Sequence, residues 1–347
     1  MLWLSWRQLR ASTVAAAAAL AVLAVVFALT GPGLADDLSA LRASCDADRF
    51  GCMSLGQEYF HDHRSSFLAA SALVLLLPAL AGLFWGAPLV TREVEAGTHL
   101  LAWNQSVTRT RWLAVKLALG GVLAMAVAGL GSLAVTWWVS PIDTTAALDF
   151  PRMEPLLFPA RGVVPVGYAA FAFTLGAAVG MLARRTLPAM AITLGVFVAV
   201  QLAVPALVRP HLVEPVTETI EISDDNAAGF QMERVGPDRV VFSAGDTGAW
   251  ILSGHTVDAS GRAVDAVDVS RFSERCDPPP GDRVPAEVGT DPRACFVAQV
   301  ARLGYRQEVT YHPASRFWSI QRIETALYVA LALGLAGFSL WRVRHTA

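Results

Sequence analysis

One lysine, Lys116, serves a chain of 347 residues. A Walker A loop needs a lysine behind glycines to grip phosphates. Lys116 instead follows Ala114-Val115 and precedes Leu117, so the chain carries no P-loop. Charge of either sign is also scarce. Only 16% of residues are Asp, Glu, Lys or Arg, against 54% hydrophobic, which lies outside the range of ordinary soluble domains. Neither G-x-S-x-G nor H-E-x-x-H occurs, and no other nucleophile constellation stands out. No catalytic residue is assigned, and the chain is not expected to be an enzyme by itself. Cysteine is sparse too: Cys45, Cys52, Cys276 and Cys295. None of these shows C-x-x-C spacing or a histidine in ligand register, which disfavours zinc. His61-Asp62-His63 resembles a metal pair but reads as solvated loop. No metal, cofactor or nucleic-acid partner is assigned to this chain.

What remains is apolar sequence in long runs. A membrane span needs roughly 20 mostly apolar residues. Six runs qualify: Ser12–Thr30, Phe67–Val90, Leu117–Val139, Val164–Ala183, Leu187–Val208 and Thr325–Trp341, the last beginning near Ile320. The amino end also fits a signal peptide, with a candidate cleavage site at Gly33-Leu34-Ala35. Its apolar run is longer than the usual h-region, and cleavage would break an even set of spans, so it is read as span one. Arg7 and Arg10, Arg92 to Lys116, Arg184-Arg185, and Arg342 and Arg344 all fall on one side of six spans. By the positive-inside rule that side is the cytoplasm. The expected fold is therefore an all-α polytopic membrane protein with six transmembrane helices and both termini cytoplasmic. A small extracellular α+β domain is expected between helices five and six.

The domain plan follows. Residues 1–11, with Trp3, Trp6, Arg7 and Arg10 at helical spacing, are expected to lie along the interface; they also serve as anchors of span one. Residues 12–208 hold spans one to five, with an outer loop at 31–66 and a cytoplasmic loop at 91–116. Residues 209–319 form the extracellular domain, and 320–347 the sixth span and tail. Between Pro210 and Ser319 stand 17 of the 29 acidic residues and no lysine. There Ala249–Val264 predicts a hairpin turning at Asp258–Gly261, and Ala294–Leu303 predicts a helix. Pro78 and Pro88 predict a bend in span two. Gly82/Gly86 and Gly176/Gly180 are both G-x-x-x-G pairs that permit close helix approach. Packing within one bundle is favoured over a dimer seam for each.

Polar groups at membrane depth are few. Arg322 and Glu324, at the outer start of span six, are candidates for an outer gate or pore mouth; pairing with each other is the alternative. Gln201 in span five and Thr174 in span four suit helix–helix hydrogen bonds or the lining of a path.

The segment Thr91–Lys116 sits between spans yet is built like an interface. It carries Arg92-Glu93-x-Glu95, Gly97-Thr98, Leu100-Leu101, Trp103, Thr108-Arg109, Arg111 and Lys116. Gly97 can end a helix and Thr98 can cap the next. Leu101 and Trp103 are anchors of the kind that dominate interfaces, with charges to set orientation. These residue types also serve as interfacial anchors and snorkelling arginines. The segment and the six-span plan resemble the ABC-2-type permease family, most closely permeases of actinobacterial type, given the bias to arginine. Ser106 stands where the family pattern often has a proline.

That resemblance implies the membrane subunit of an ATP-driven exporter in a bacterial plasma membrane. Its partners would be two ABC ATPase copies, which hold ATP and magnesium, and a second permease copy or homologue. It implies an ATPase-coupling role for Glu93, Glu95, Gly97, Thr98, Leu101, Trp103, Arg109 and Arg111. The scarcity of charge in the spans suits an amphipathic or hydrophobic substrate: an antibiotic, lipid or peptide. A membrane sensor or scaffold with a ligand-binding outer domain is the alternative.

All four cysteines fall in segments assigned to the outside, where disulfides persist. Of three possible connectivities, Cys45–Cys52 with Cys276–Cys295 is the simplest. Thiol labelling of the denatured chain is expected to require prior reduction; equal labelling with and without reductant would exclude both bridges.

Overall fold

The computed structural model describes residues 2–44, 49–97, 108–145, 152–222, 230–235, 239–244, 248–270 and 292–345. Contacts divide the chain into two units. One comprises Met1–Ala146, Pro155–Val213 and Phe317–Ala347, the other Ala147–Glu154 and Glu214–Arg316.

The first unit is helical. Its helices are α1 (Leu2–Ser44), α2 (Arg49–Ala81), α3 (Pro88–Glu95), α4 (Arg109–Thr145), α5 (Val164–Ala183), α6 (Thr186–Ala203) and α8 (Phe317–His345). Helix α7 lies in the second unit. A π-helical turn, Gly82–Gly86, joins α2 to α3; another, Val204–Val208, extends α6 into a 3-10 turn at Arg209–His211. Among the described residues, six helices are long and apolar enough to cross a membrane. These match the six apolar runs, and most are longer than the runs that announced them.

The clearest case is α1. It is one helix of 43 residues, about 65 Å at 1.5 Å per residue and about twice a bilayer's ~30 Å hydrocarbon core. Residues 1–11 thus form no separate element, and much of the loop expected at 31–66 is helical. Hydropathy marks only the lipid-facing part of such a helix. Beyond it, Leu34 and Leu38 form a buried stripe, as do Tyr59 and Phe60 on α2, and the Tyr59 hydroxyl donates to the Leu34 carbonyl at 2.8 Å. His61, Asp62 and His63 are likewise helical. Trp138 stacks on Phe27 with 4.9 Å between rings, and its indole donates to the Thr30 hydroxyl at 2.8 Å.

Helix α5 is the centre of the bundle. In its most apolar 18-residue window 72% is buried, against 11–44% for the other five spans. Its small residues make this possible. A Cβ on Gly176 would stand 2.4 Å from the Gly82 carbonyl oxygen, and one on Gly86 2.4 Å from that of Phe173. The two G-x-x-x-G pairs therefore meet each other inside one chain, backbone against backbone. The bend expected from Pro78 and Pro88 takes the form of the π-helical turn between them, which carries Gly82 and Gly86 onto α5. A core of Leu113, Ala124, Ala169, Phe173 and Ala177 fills the space between α4 and α5.

Among the described residues, the second unit holds two antiparallel sheets and α7 (Pro292–Arg302). The strands are β1 (Val216–Glu221), β2 (Phe230–Arg234), β3 (Arg239–Ala244), β4 (Trp250–Val257), β5 (Ala263–Val264), β6 (Val267–Asp268) and β7 (Arg306–His312). They are ordered β1-β7-β4-β5 and β2-β3-β6. The β4–β5 hairpin turns where Asp258 and Gly261 predicted it. Gly261 adopts φ +81°, and Asp258 Oδ1 accepts from the Ser260 hydroxyl at 2.5 Å and the Arg262 amide at 3.0 Å. These donors hold the Asp258 carboxyl down at about 2. Val240, Val267, Val269, Val297 and Val300 form a separate core under α7.

The backbone contact at Gly176 is testable. Gly176→Ala is expected to lower the thermal midpoint in detergent, at a cost of about 1–3 kcal/mol for overpacking. Gly195, with nothing within 4 Å of its Cβ position, is the control. Gly195→Ala is expected to leave the midpoint unchanged or raise it, as Ala replaces Gly in a helix.

Candidate functional site

The chain between α3 and α4 was read as a partner-binding segment. Thr98, Leu101 and Trp103 lie outside the described residues. The structure describes both flanks. Helix α3 ends at Glu95, and Gly97 follows with φ +68°, its amide donating to Val94 at 3.2 Å. This is the left-handed residue that closes a helix. Helix α4 opens at Arg109. Its cap is Thr108, whose hydroxyl accepts from the Arg111 amide at 3.3 Å.

The acidic residues of the segment are bonded to neighbouring helices. Glu93 accepts from Lys116 of α4, and the lysine side chain is only 4% exposed. Lys116 also lies over the Trp112 ring, 4.6 Å from its centre. Glu95 receives the Thr186 amide at 2.8 Å and the Thr186 hydroxyl at 2.7 Å, closing the amino end of α6 with an anion where its dipole favours one. Thr186 in turn meets the Thr91 hydroxyl at 2.8 Å. Arg184, with φ +54°, makes the tight α5–α6 turn that brings Thr186 there. Glu93, half-buried, and Glu95, exposed, are thus bonded to α4 and α6. Arg111 is exposed and Arg109 half-buried.

At the other end of the bundle lies a buried polar cluster. Arg209 and Glu324 are both 0% exposed. Arg209 donates Nε to Glu324 Oε2 at 2.8 Å and Nη2 to Oε1 at 3.0 Å, a bidentate pair. Its Nη1 reaches the Pro155 carbonyl at 3.2 Å, and its guanidinium lies 4.4 Å over the Phe158 ring. The Tyr168 hydroxyl donates to Glu324 at 2.5 Å. Tyr328 packs edge-on against Tyr168 at 4.6 Å and donates to Gln201 Oε1 at 2.8 Å. Five side chains from α5, α6 with its extension, and α8 thus form one connected group.

Of the residues proposed for an outer gate, Glu324 and Gln201 belong to this group. Arg322 does not: it is exposed and donates to the carbonyl of Trp318 on its own helix at 3.2 Å. Thr174 bonds back to Ala170 and Phe171, so it links no two helices. Arg209 and Tyr168 were missed in the sequence. Arg209 reads as the flank of span five, and a tyrosine in an apolar run carries no positional signal. The π-helical turn Val204–Val208, with Pro205 in its first turn, precedes Arg209 and re-aims the chain there.

Two further buried groups join the spans. Arg161 donates to Asp143 at 3.4 Å and to Ser71 at 3.2 Å and lies over the Phe67 ring. Gln321 of α8 accepts from the Val163 and Val164 amides at 3.0 and 2.9 Å. It donates to the Phe158 and Arg161 carbonyls at 3.0 and 3.1 Å. Its carboxamide thereby supplies the amino-terminal cap that no residue of α5 provides.

Residues 17–209, more than half of the chain, match the family model described as ABC-2 membrane transporter related. No curated protein and no solved structure matches the chain. The matched part begins within α1, holds α2 to α6 and ends at Arg209, so the Arg209–Glu324 pair joins it to α8.

Breaking that pair from one side leaves a buried charge. Arg209→Met and Glu324→Leu are each expected to destabilise the purified protein by about 3–5 kcal/mol, whereas the double variant recovers most of the loss. Thermal unfolding of the four proteins of this cycle in detergent measures it; additive losses would show that the two residues do not act as a pair.

Proposed function

This chain belongs to the ABC-2 membrane transporter related family, and on that premise we propose that it is the membrane subunit of an ATP-driven exporter. It is a multi-pass membrane protein, and the family implies an ATP-hydrolysing partner. Membrane components of this family are generally not catalytic themselves. In the proposed assembly, two ATPase chains bind ATP and magnesium. Two permease chains, identical or related, enclose a path through the bacterial plasma membrane. Both termini and the 91–116 segment face the cytoplasm, and the sheet-bearing unit lies outside with Cys45–Cys52 and Cys276–Cys295 bridged. The basic residues at the chain ends, at Arg92 to Lys116 and at Arg184-Arg185 support this orientation.

The observation that carries the reading is the bonding of the segment's flanks to three spans. Glu93 binds Lys116 of α4, and Glu95 binds Thr186 of α6. A push on 98–107 as the ATPases close on ATP is then delivered to α3, α4 and α6 together. Leu101 and Trp103 are the anchors that receive it, with Arg109 and Arg111 at their edge. Exchange between inward- and outward-facing arrangements requires packed elements with discrete positions, and the α2–α5 backbone contact makes α5 part of the moving body. The buried charges at Arg209–Glu324 and Arg161–Asp143 are paired with each other. That suits a substrate with little charge of its own: amphipathic or hydrophobic, such as an antibiotic, lipid or peptide.

Binding and coupling separate experimentally. Leu101→Ala/Trp103→Ala is expected to lose the co-purifying ATPase. Glu95→Gln/Thr186→Val is expected to keep the ATPase bound, while transport per ATP hydrolysed falls by about 5-fold or more. If the wild type retains no ATPase, or the Leu101/Trp103 variant retains it equally well, the coupling assignment is wrong.

A further inference from the structure

Helix α1 packs along α4 and touches α2 only sparsely. The gap between α1 and α2 is a groove of about 840 Å³. Its walls are the alanine face of α1, with Ala16 and Ala19, and a leucine row on α2, with Leu73 and Leu77; Val127 of α4 lies at its floor. Phe84 and Trp85 of the π-helical turn stand at one end together with Ser12. Every lining residue falls within the spans Arg10–Ala43, Glu58–Glu95 and Arg109–Asp143. From Ser12 to Val26 the groove runs about 21 Å at 1.5 Å per residue.

We propose that this groove binds an acyl chain of an anionic phospholipid from the bilayer, with the headgroup at the end marked by Ser12. Two observations select that occupant. Beyond the Ser12 hydroxyl and the Trp85 indole at one end, the lining is hydrocarbon, so its length has too few polar partners to hold water. The Ser12 end is also the basic end, where Arg10 and Arg92 are both exposed. Arg10 lies two residues before Ser12, and Arg92 two turns beyond Trp85. Cations at that depth attract anionic headgroups. The site is a property of this chain alone and does not depend on the transport reading.

The test uses the full chain in vesicles of phosphatidylcholine and phosphatidylglycerol with a trace of phosphatidylglycerol bearing a diazirine on one acyl chain. After illumination, peptide mapping is expected to find several-fold more label around Ala19 and Leu77 than around Leu187 and Leu202. Those two leucines of α6 are at least as exposed, at 79% and 69%. Ala16→Trp/Ala19→Trp, which fills the slot, is expected to remove the excess, and Leu202→Trp to leave it. Phosphatidylcholine bearing the same diazirine is expected to label the groove several-fold less, a preference lost in Arg10→Gln/Arg92→Gln. Label spread evenly over all exposed apolar positions of the wild type would overturn the proposal without recourse to any variant. So would excess label that persists in the filled groove, or a photoreactive residue at position 19 that captures a second copy of the chain. Equal labelling by the two lipids would overturn the headgroup assignment.

Discussion

A helix buried on nearly all sides within a membrane bundle has no water to satisfy its ends or its polar side chains. Helix α5 is in that position, and much of the structure answers its needs. Its amino end is capped by Gln321 from α8, whose four hydrogen bonds use the whole carboxamide. Its carboxyl end closes on Arg184 in the left-handed region, with the Arg184 amide donating to Gly180. Its one long polar side chain, Tyr168, finds Glu324 and Arg209. Its close approach to α2 is permitted because glycines face backbone carbonyls at Gly82, Gly86, Gly176 and Gly180. Each of these partners comes from another part of the chain, so the burial of α5 sets where α2, α6 and α8 stand.

The charges obey the same constraint. An unpaired charge at membrane depth is costly, and breaking a pair is worse than never having made one. Arg209 with Glu324, and Arg161 with Asp143, join helices and connections near one end of the bundle. Glu93 with Lys116, and Glu95 with Thr186, do the same at the other. The pairs thus serve as cross-links at both ends of the spans. The lipid-facing side is different. Helix α1 is largely exposed along its apolar length, and it leaves a large apolar slot against α2.

Several elements were legible before any coordinates. The six spans appear as apolar runs, because length and hydropathy are what a bilayer demands. The hairpin at Asp258–Gly261, the helix near Ala294–Leu303 and the helix stop at Gly97 were each signalled by local chemistry. Packing of the two G-x-x-x-G pairs within one bundle was the favoured reading, and the structure sets the two against each other. Other features were hidden. Leu34 and Leu38 sit among polar residues, so the continuation of α1 to Ser44 looks like a loop until Tyr59 is placed against it. Arg209 looks like a flank, and Glu324 like the neighbour of Arg322, because sequence distance says nothing about which helices touch.

The sequence by itself determined that this is a membrane protein of six spans without a P-loop, since composition and run length answer directly to the solvent around the chain. It also marked Thr91–Lys116 as unlike a simple connector. Only the tertiary structure decided that Glu93 and Glu95 bond to α4 and α6, that Arg209 rather than Arg322 meets Glu324, and that Gln321 caps a helix some 160 residues away. These are long-range pairings of desolvated groups. The free energy of each depends on which helices pack together, and no local pattern carries that information.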